Sequence, residues 1–136
     1  MTYCLAPAIA FAGAWHVVIA AASAARLAEL DYEFDRLKAL MLANDLTTVN
    51  LVWRESEYVF QARNPFPVGG VVEDPATGAA AAAFGGYLRD ARLIDVPATL
   101  LIRQGEAMGR PSRITVRVPV AGGIAVSGSA VDMNAA

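Results

Sequence analysis

Apolar residues run without interruption through residues 14–22 (AWHVVIAAA), the pattern of a strand buried on both faces. Further on, Phe34, Leu37, Leu40 and Met41 recur at helical spacing while Glu33, Asp35, Arg36 and Lys38 take the wet side. A surface amphipathic helix is therefore predicted, with Asp31 capping its start and Asn44 ending it. Residues 46–53 and 57–63 read as the two arms of a hairpin, with Val49, Leu51 and Trp53 alternating with Thr48, Asn50 and Val52 before a charged turn at 54–56. Two prolines and the pair Gly69, Gly70 in residues 64–73 (NPFPVGGVVE) argue against a regular helix or central strand there. They also bring backbone close to whatever sits at the loop's end, a common arrangement for binding loops.

Residues 78–90 (GAAAAAFGGYLRD) are helical by propensity and show no polar face before Arg89, so this helix is expected to be buried all round. Glycine inside a helix costs about 1 kcal/mol relative to alanine, so Gly85 and Gly86 imply strands packed tightly against it. After Pro97 the period becomes two. Residues 100–104 and 113–118 read as strands, the second with Ile114, Val116 and Val118 inward and Arg113, Thr115 and Arg117 outward. Gly122 and Gly123 then turn the chain into a last arm at 124–131. The pattern predicts an α+β fold: one lobe in which a curved, mostly antiparallel sheet wraps a central apolar helix. Residues 1–12 are left irregular and 134–136 frayed.

At 136 residues the chain forms one domain or one lobe of a larger unit. Its 56% hydrophobic content against 18% charged exceeds the soluble norm of about 45–50% apolar, which excludes disorder and implies a surface that expects a partner. A net charge of −2 provides no basic field for a nucleic-acid backbone. With Cys4 the only cysteine and His16 the only histidine, intrachain disulfides, a structural zinc site and imidazole-based triads are excluded. The free thiol fits a cytoplasmic setting, and Cys4 stands in no reactive context. His16, inside an apolar strand, reads as a core or edge residue. Residues 1–25 carry no Lys, Arg, Asp or Glu, which suits a membrane anchor or a buried strand. Pro7, Gly13, Trp15 and His16, with no positive charge ahead of them, favour the strand, and no membrane association is expected.

The chemistry concentrates where Glu73, Asp74, Pro75, Ala76 and Thr77 lead into the apolar helix. Unpaired N–H groups and the positive end of the helix dipole meet there, which makes an anion site. A carboxylate or phosphate would take the N–H groups from Thr77 to Ala79 and the Thr77 hydroxyl, while Glu73 or Asp74 accepts from a substrate amine or hydroxyl. On spacing alone, capping of the helix by Asp74 is the favoured reading.

Residues 63–88 (RNPFPVGGVVEDPATGAAAAAFGGYL), 104–112 (QGEAMGRPS) and 124–131 (IAVSGSAV) together resemble the C-terminal half of the PhzF-like phenazine-biosynthesis isomerase family. The EDPATG element is Glu73 to Gly78, and the QG, MGRPS and V-x-G elements follow in family order. The resemblance implies a diaminopimelate-epimerase-like fold of two similar lobes with the site between them, and isomerisation by acid/base proton transfer with no cofactor and no metal. It implies Asp74 as an aspartate that helps hold the substrate, and Gly78 and Ala79 as helix-start amides for its carboxylate; with Gly70 and Thr77 these make the expected binding group. Glu73, Arg63, Arg110 and Ser112 match structural positions, Arg110 is expected to bridge to Glu73 or Asp74, and Asp74 and Glu73 become the catalytic candidates if two copies of this chain pair. Two departures stand out: Ala79 replaces a frequent serine, and nothing here matches the family glutamate of the N-terminal lobe. The second lobe would then be a separate N-terminal half or a second copy of this chain, making a homodimer. The other reading is a catalytically inert binding module or truncated remnant.

Overall fold

The computed structural model describes residues 5–132. Cys4 and residues 134–136 lie outside that range, and with them the readings made of them. The elements are β1 (Ala8–Phe11), β2 (Trp15–Ala20), α1 (Ala24–Ala28), α2 (Phe34–Ala43), β3 (Thr48–Arg54), β4 (Val59–Phe66), β5 (Val71–Asp74), α3 (Gly78–Asp90), β6 (Ala98–Gln104), β7 (Ser112–Val118) and β8 (Ala125–Ser127). The strands form one sheet ordered β1-β2-β3-β4-β6-β7-β8, with β5 branching from β4. Two pairings, β2 with β3 and β4 with β6, are parallel, and the rest are antiparallel. The sheet curls as a half-barrel around α3, the predicted α+β lobe.

Inward positions make the core: Val18, Val52, Phe60, Ala62, Leu100, Ile102, Ile114, Val116 and Val118 close on Ala81, Phe84 and Leu88 of α3. Phe60 and Phe84 meet edge to face with ring centres 4.9 Å apart. Gly85 is what lets α3 approach β7, since a Cβ there would lie 2.9 Å from Val116 Cγ1. The 113–118 alternation stands as predicted, with Ile114, Val116 and Val118 buried and Arg113 and Arg117 exposed.

Several elements differ from expectation. Residues 8–11, read as irregular, form edge strand β1 against β2. Strand β2 buries His16 and Val18 on one face, whereas Trp15 and Ile19 on the other are exposed. Helix α3 is not buried all round either: Gly78 and Ala79 are exposed and Ala82 and Gly86 half-exposed, between the free edges β1 and β8.

In β3 the alternation resolves with the more polar set inward. Thr48, Asn50 and Val52 share the inner face with His16, Val18 and Ala62, and Leu51 turns outward beneath α1. The unpredicted helix α1 is capped by Ser23, whose hydroxyl accepts from Arg26 N at 3.0 Å. Asp31 does not cap α2; Glu33 occupies that position without a side-chain bond, while Asn44 ends the helix as expected. Leu40, assigned to the apolar stripe of α2, is 58% exposed. The 64–73 loop is partly strand: Pro65 is accommodated at an irregularity where β4 pairs β5. Among the described residues no helix is long and apolar enough to cross a membrane.

Candidate functional site at the head of the central helix

Strands β4 and β6 end, and β2, β3 and β7 begin, at the same end of the half-barrel, the end at which α3 starts. The buried polar residues gather there. Thr48 Oγ1 donates to Asn64 Oδ1 at 3.3 Å, so the 2.7 Å contact between His16 Nδ1 and Thr48 Oγ1 is donated by the imidazole. His16 is thus held neutral with Nδ1 protonated, its Nε2 buried and without a hydrogen-bond partner. Burial pushes its pKa below the ordinary imidazole value. The core-histidine reading agrees with its 1% exposure.

Gln104 organises the approach to α3. Its Nε2 donates to Asp74 O at 2.8 Å and to Thr77 Oγ1 at 3.0 Å, and its Oε1 accepts from Thr77 N at 3.2 Å. Thr77 Oγ1 donates to Asp74 Oδ2 at 2.7 Å. Ser112 clamps the loop from the other side, donating to Pro75 O at 3.0 Å and Gln104 O at 3.2 Å. Gly105 is obligatory beneath this clamp, because its φ is +83° and a Cβ would fall 2.1 Å from Arg110 O.

This lattice redistributes the predicted roles. Thr77 is the N-cap residue of α3, but its side chain makes no capping bond. Its hydroxyl and N–H are both hydrogen-bonded inside the loop. Asp74 does not cap the helix directly; it holds the Thr77 hydroxyl and keeps Oδ1 only 3.4 Å from Ala76 N, a weak contact. Glu73 is engaged by Arg63, from Nη2 at 2.7 Å and Nε at 3.0 Å, with 7% of its side chain exposed. Arg63, rather than the expected Arg110, bridges to Glu73. Arg63 is also anchored to the Leu27 and Ala28 carbonyls of α1. Gly70 sits at the opposite end of β5 from Asp74, in a left-handed turn, and is not brought to the site.

Gly78 and the neighbouring exposed Ala79 remain, with the first N–H groups of α3 uncapped. Gly78 borders a cleft of about 670 Å³ that is also lined by Pro75, Arg110, Ser112, Arg113, Val126 and Gly128. The start of α3 and the side chains of Arg110 and Arg113 border the same cleft. Gln104 and Arg113 were missed as site residues. The signal for Gln104 was present, a polar residue in phase with inward Leu100 and Ile102.

A family model described as phenazine biosynthesis-like protein, PhzC–PhzF, matches residues 2–136. The chain belongs to this family. Among curated relatives, an uncharacterized isomerase of Mesorhizobium japonicum is 45% identical over 71 residues, which is 49% of this chain and 22% of that protein. A phenazine biosynthesis protein of the PhzF family from Bacillus anthracis superposes with a TM-score of 0.70 at 19% identity, over 87% of this chain and 43% of that one. A predicted epimerase from Pseudomonas aeruginosa gives 0.66 at 23% identity, over 91% and 44%. These likenesses establish the fold. The chain spans less than half the length of these PhzF-family relatives.

Proposed function

We propose that this chain is one lobe of a cofactor-independent isomerase of the epimerase type, which holds a small carboxylate at the start of α3 and transfers protons only when a second lobe closes the cleft. The observation that carries this reading is the uncapped helix start at Gly78 and Ala79, set beside Arg110 and Arg113. The family membership supports the reaction class. Within the lobe the acid/base role falls to Asp74, because Glu73 is neutralised by Arg63. The partner lobe is a second copy of this chain or a separate glutamate-bearing half.

One observation favours the inert-module reading: Asp74 is turned toward Thr77, inside its own loop. A single preparation separates the two. Amide NMR during titration with α-hydroxy and α-amino carboxylates should move the Gly78, Ala79 and Ala80 signals, and incubation in heavy water should place deuterium at the ligand's α-carbon. Movement without exchange in a preparation that light scattering shows to be dimeric makes the chain a binding module; in a monomer it leaves the second lobe to the separate half. No movement overturns the carboxylate site.

A further inference from the structure

Two buried amides flank Asp74, and they differ in how their hydrogen bonds are used. Gln104 commits its whole amide to Thr77 and the Asp74 carbonyl. Asn64 is the antiparallel partner of Asp74 across β4 and β5 and is 1% exposed. Its Oδ1 accepts from Thr48, but its Nδ2 donates to no described residue. Buried side-chain donors nearly always find an acceptor, so an amide with both N–H groups unused calls for one that arrives from outside.

The orientation of that amide is fixed from behind. His16 Nδ1 donates to Thr48 Oγ1 at 2.7 Å, so the Thr48 proton goes to Asn64 Oδ1 at 3.3 Å and Nδ2 is left as the outward end of the chain of bonds. Turning the amide over would set its N–H groups against the Thr48 proton. The three residues stand on the neighbouring strands β2, β3 and β4, each at most 2% exposed, so the sheet holds the chain in place. Of its two unused nitrogens, His16 Nε2 is fully enclosed and Asn64 Nδ2 is not. The amide is therefore the end that a ligand reaches. Paired residues on antiparallel strands carry their side chains on one face, with Cβ atoms about 5 Å apart. Asn64 thus stands beside Asp74, whose Oδ2 is 2.7 Å from the hydroxyl of Thr77, the residue before the first amides of α3.

We propose that Asn64 is the specificity-determining residue of the carboxylate site, and that the ligand it selects carries an oxygen acceptor, a hydroxyl or a carbonyl, on the carbon next to the carboxylate. This rests on the reading of the α3 start as that site. The ligand is then held at two points: the Gly78 and Ala79 amides take the carboxylate, and the Asn64 N–H groups take the neighbouring oxygen. A protonated amine in the same place brings only donors and gains nothing from Asn64, and whatever attraction Asp74 gives it is the same with or without the amide. His16 and Thr48 are positioning residues, which touch the amide and not the ligand.

The test is NMR of the full chain titrated with lactate, propionate and alanine, three carboxylates that differ only in a hydroxyl, a hydrogen or an amine on the α-carbon. The side-chain NH2 signals of Asn64 should shift with lactate and stay still with propionate and alanine, while the backbone signals of Gly78 to Ala80 move with all three. Lactate should bind about tenfold more tightly than propionate, the worth of one added hydrogen bond to a buried donor. Asn64→Leu should bring that ratio close to one by weakening lactate alone. Thr48→Val, which frees the amide to turn, should lower the ratio without moving the propionate affinity. The unsubstituted chain carries the decisive signals, so the outcome stands even where a variant fails to fold. Gly78 to Ala80 shifts with still Asn64 signals overturn this inference and leave the carboxylate site standing. A ratio unchanged in folded Asn64→Leu, or lactate and propionate weakened alike, does the same and assigns Asn64 to the scaffold. Asn64 shifts without Gly78 to Ala80 shifts overturn the carboxylate site instead, and no shift at either place overturns both.

Discussion

Glu73 and Arg63 face each other from neighbouring strands β5 and β4 in a two-pronged ion pair at 2.7 and 3.0 Å. Because Arg63 also holds the last carbonyls of α1, one guanidinium ties the site loop, the sheet and an outer helix together. Charge-assisted, bidentate and largely buried, the pair belongs to the class in which losing one partner is costly. Arg63→Met should lower stability by about 3 kcal/mol in urea unfolding. The double variant Arg63→Met/Glu73→Leu should recover part of that loss, and a fully additive double variant would show that the pair is not coupled.

Asp74→Asn keeps an oxygen for the Thr77 hydroxyl, so its melting temperature should stay close to that of the parent while any α-carbon deuterium exchange disappears. Asp74→Ala should cost about 1 kcal/mol for the lost hydrogen bond. An unfolded Asp74→Ala chain would assign Asp74 to the scaffold alone.

Packing against the central helix is tight on one side. Gly85→Ala places a methyl 2.9 Å from Val116 Cγ1 and 3.2 Å from Val118 Cγ2, so a loss of about 1 to 3 kcal/mol is expected. Ala81→Leu, at a position 4% exposed, should cost a similar amount. Unchanged thermal melting of both would mean that α3 is not the centre of the core.

His16 links stability to pH. Burial lowers its pKa from the ordinary 6.5, so below that value the unfolded chain binds a proton that the folded chain resists. The His16 contribution is complete above about pH 6.5 and is lost as the pH falls through and below it. Urea midpoints measured from about pH 8 down to about pH 5 should fall more steeply for the parent than for His16→Gln. Parallel curves would show that His16 titrates alike in both states.

Much of the site was legible as a string. The run EDPATG followed by an apolar helix placed a helix start at Gly78, where α3 begins without a side-chain cap. Which acidic residue is spoken for was not legible. Glu73 is claimed by a residue ten positions earlier and Thr77 by one twenty-seven positions later, and only the β4–β6 pairing brings Gln104 and Arg63 to the same loop.

Local pattern alone determined helix α3, the β7 alternation, the 48–66 hairpin and the α+β class, because backbone periodicity and turn residues act over short separations. Tertiary structure decided which face of β3 turns inward, that Trp15 and Ile19 stay exposed, and that α3 leaves Gly78 and Ala79 exposed and Ala82 and Gly86 half-exposed. Those outcomes depend on what packs against each face. An apolar run looks the same in sequence whether its second face meets another element of its own chain or is left open at a sheet edge.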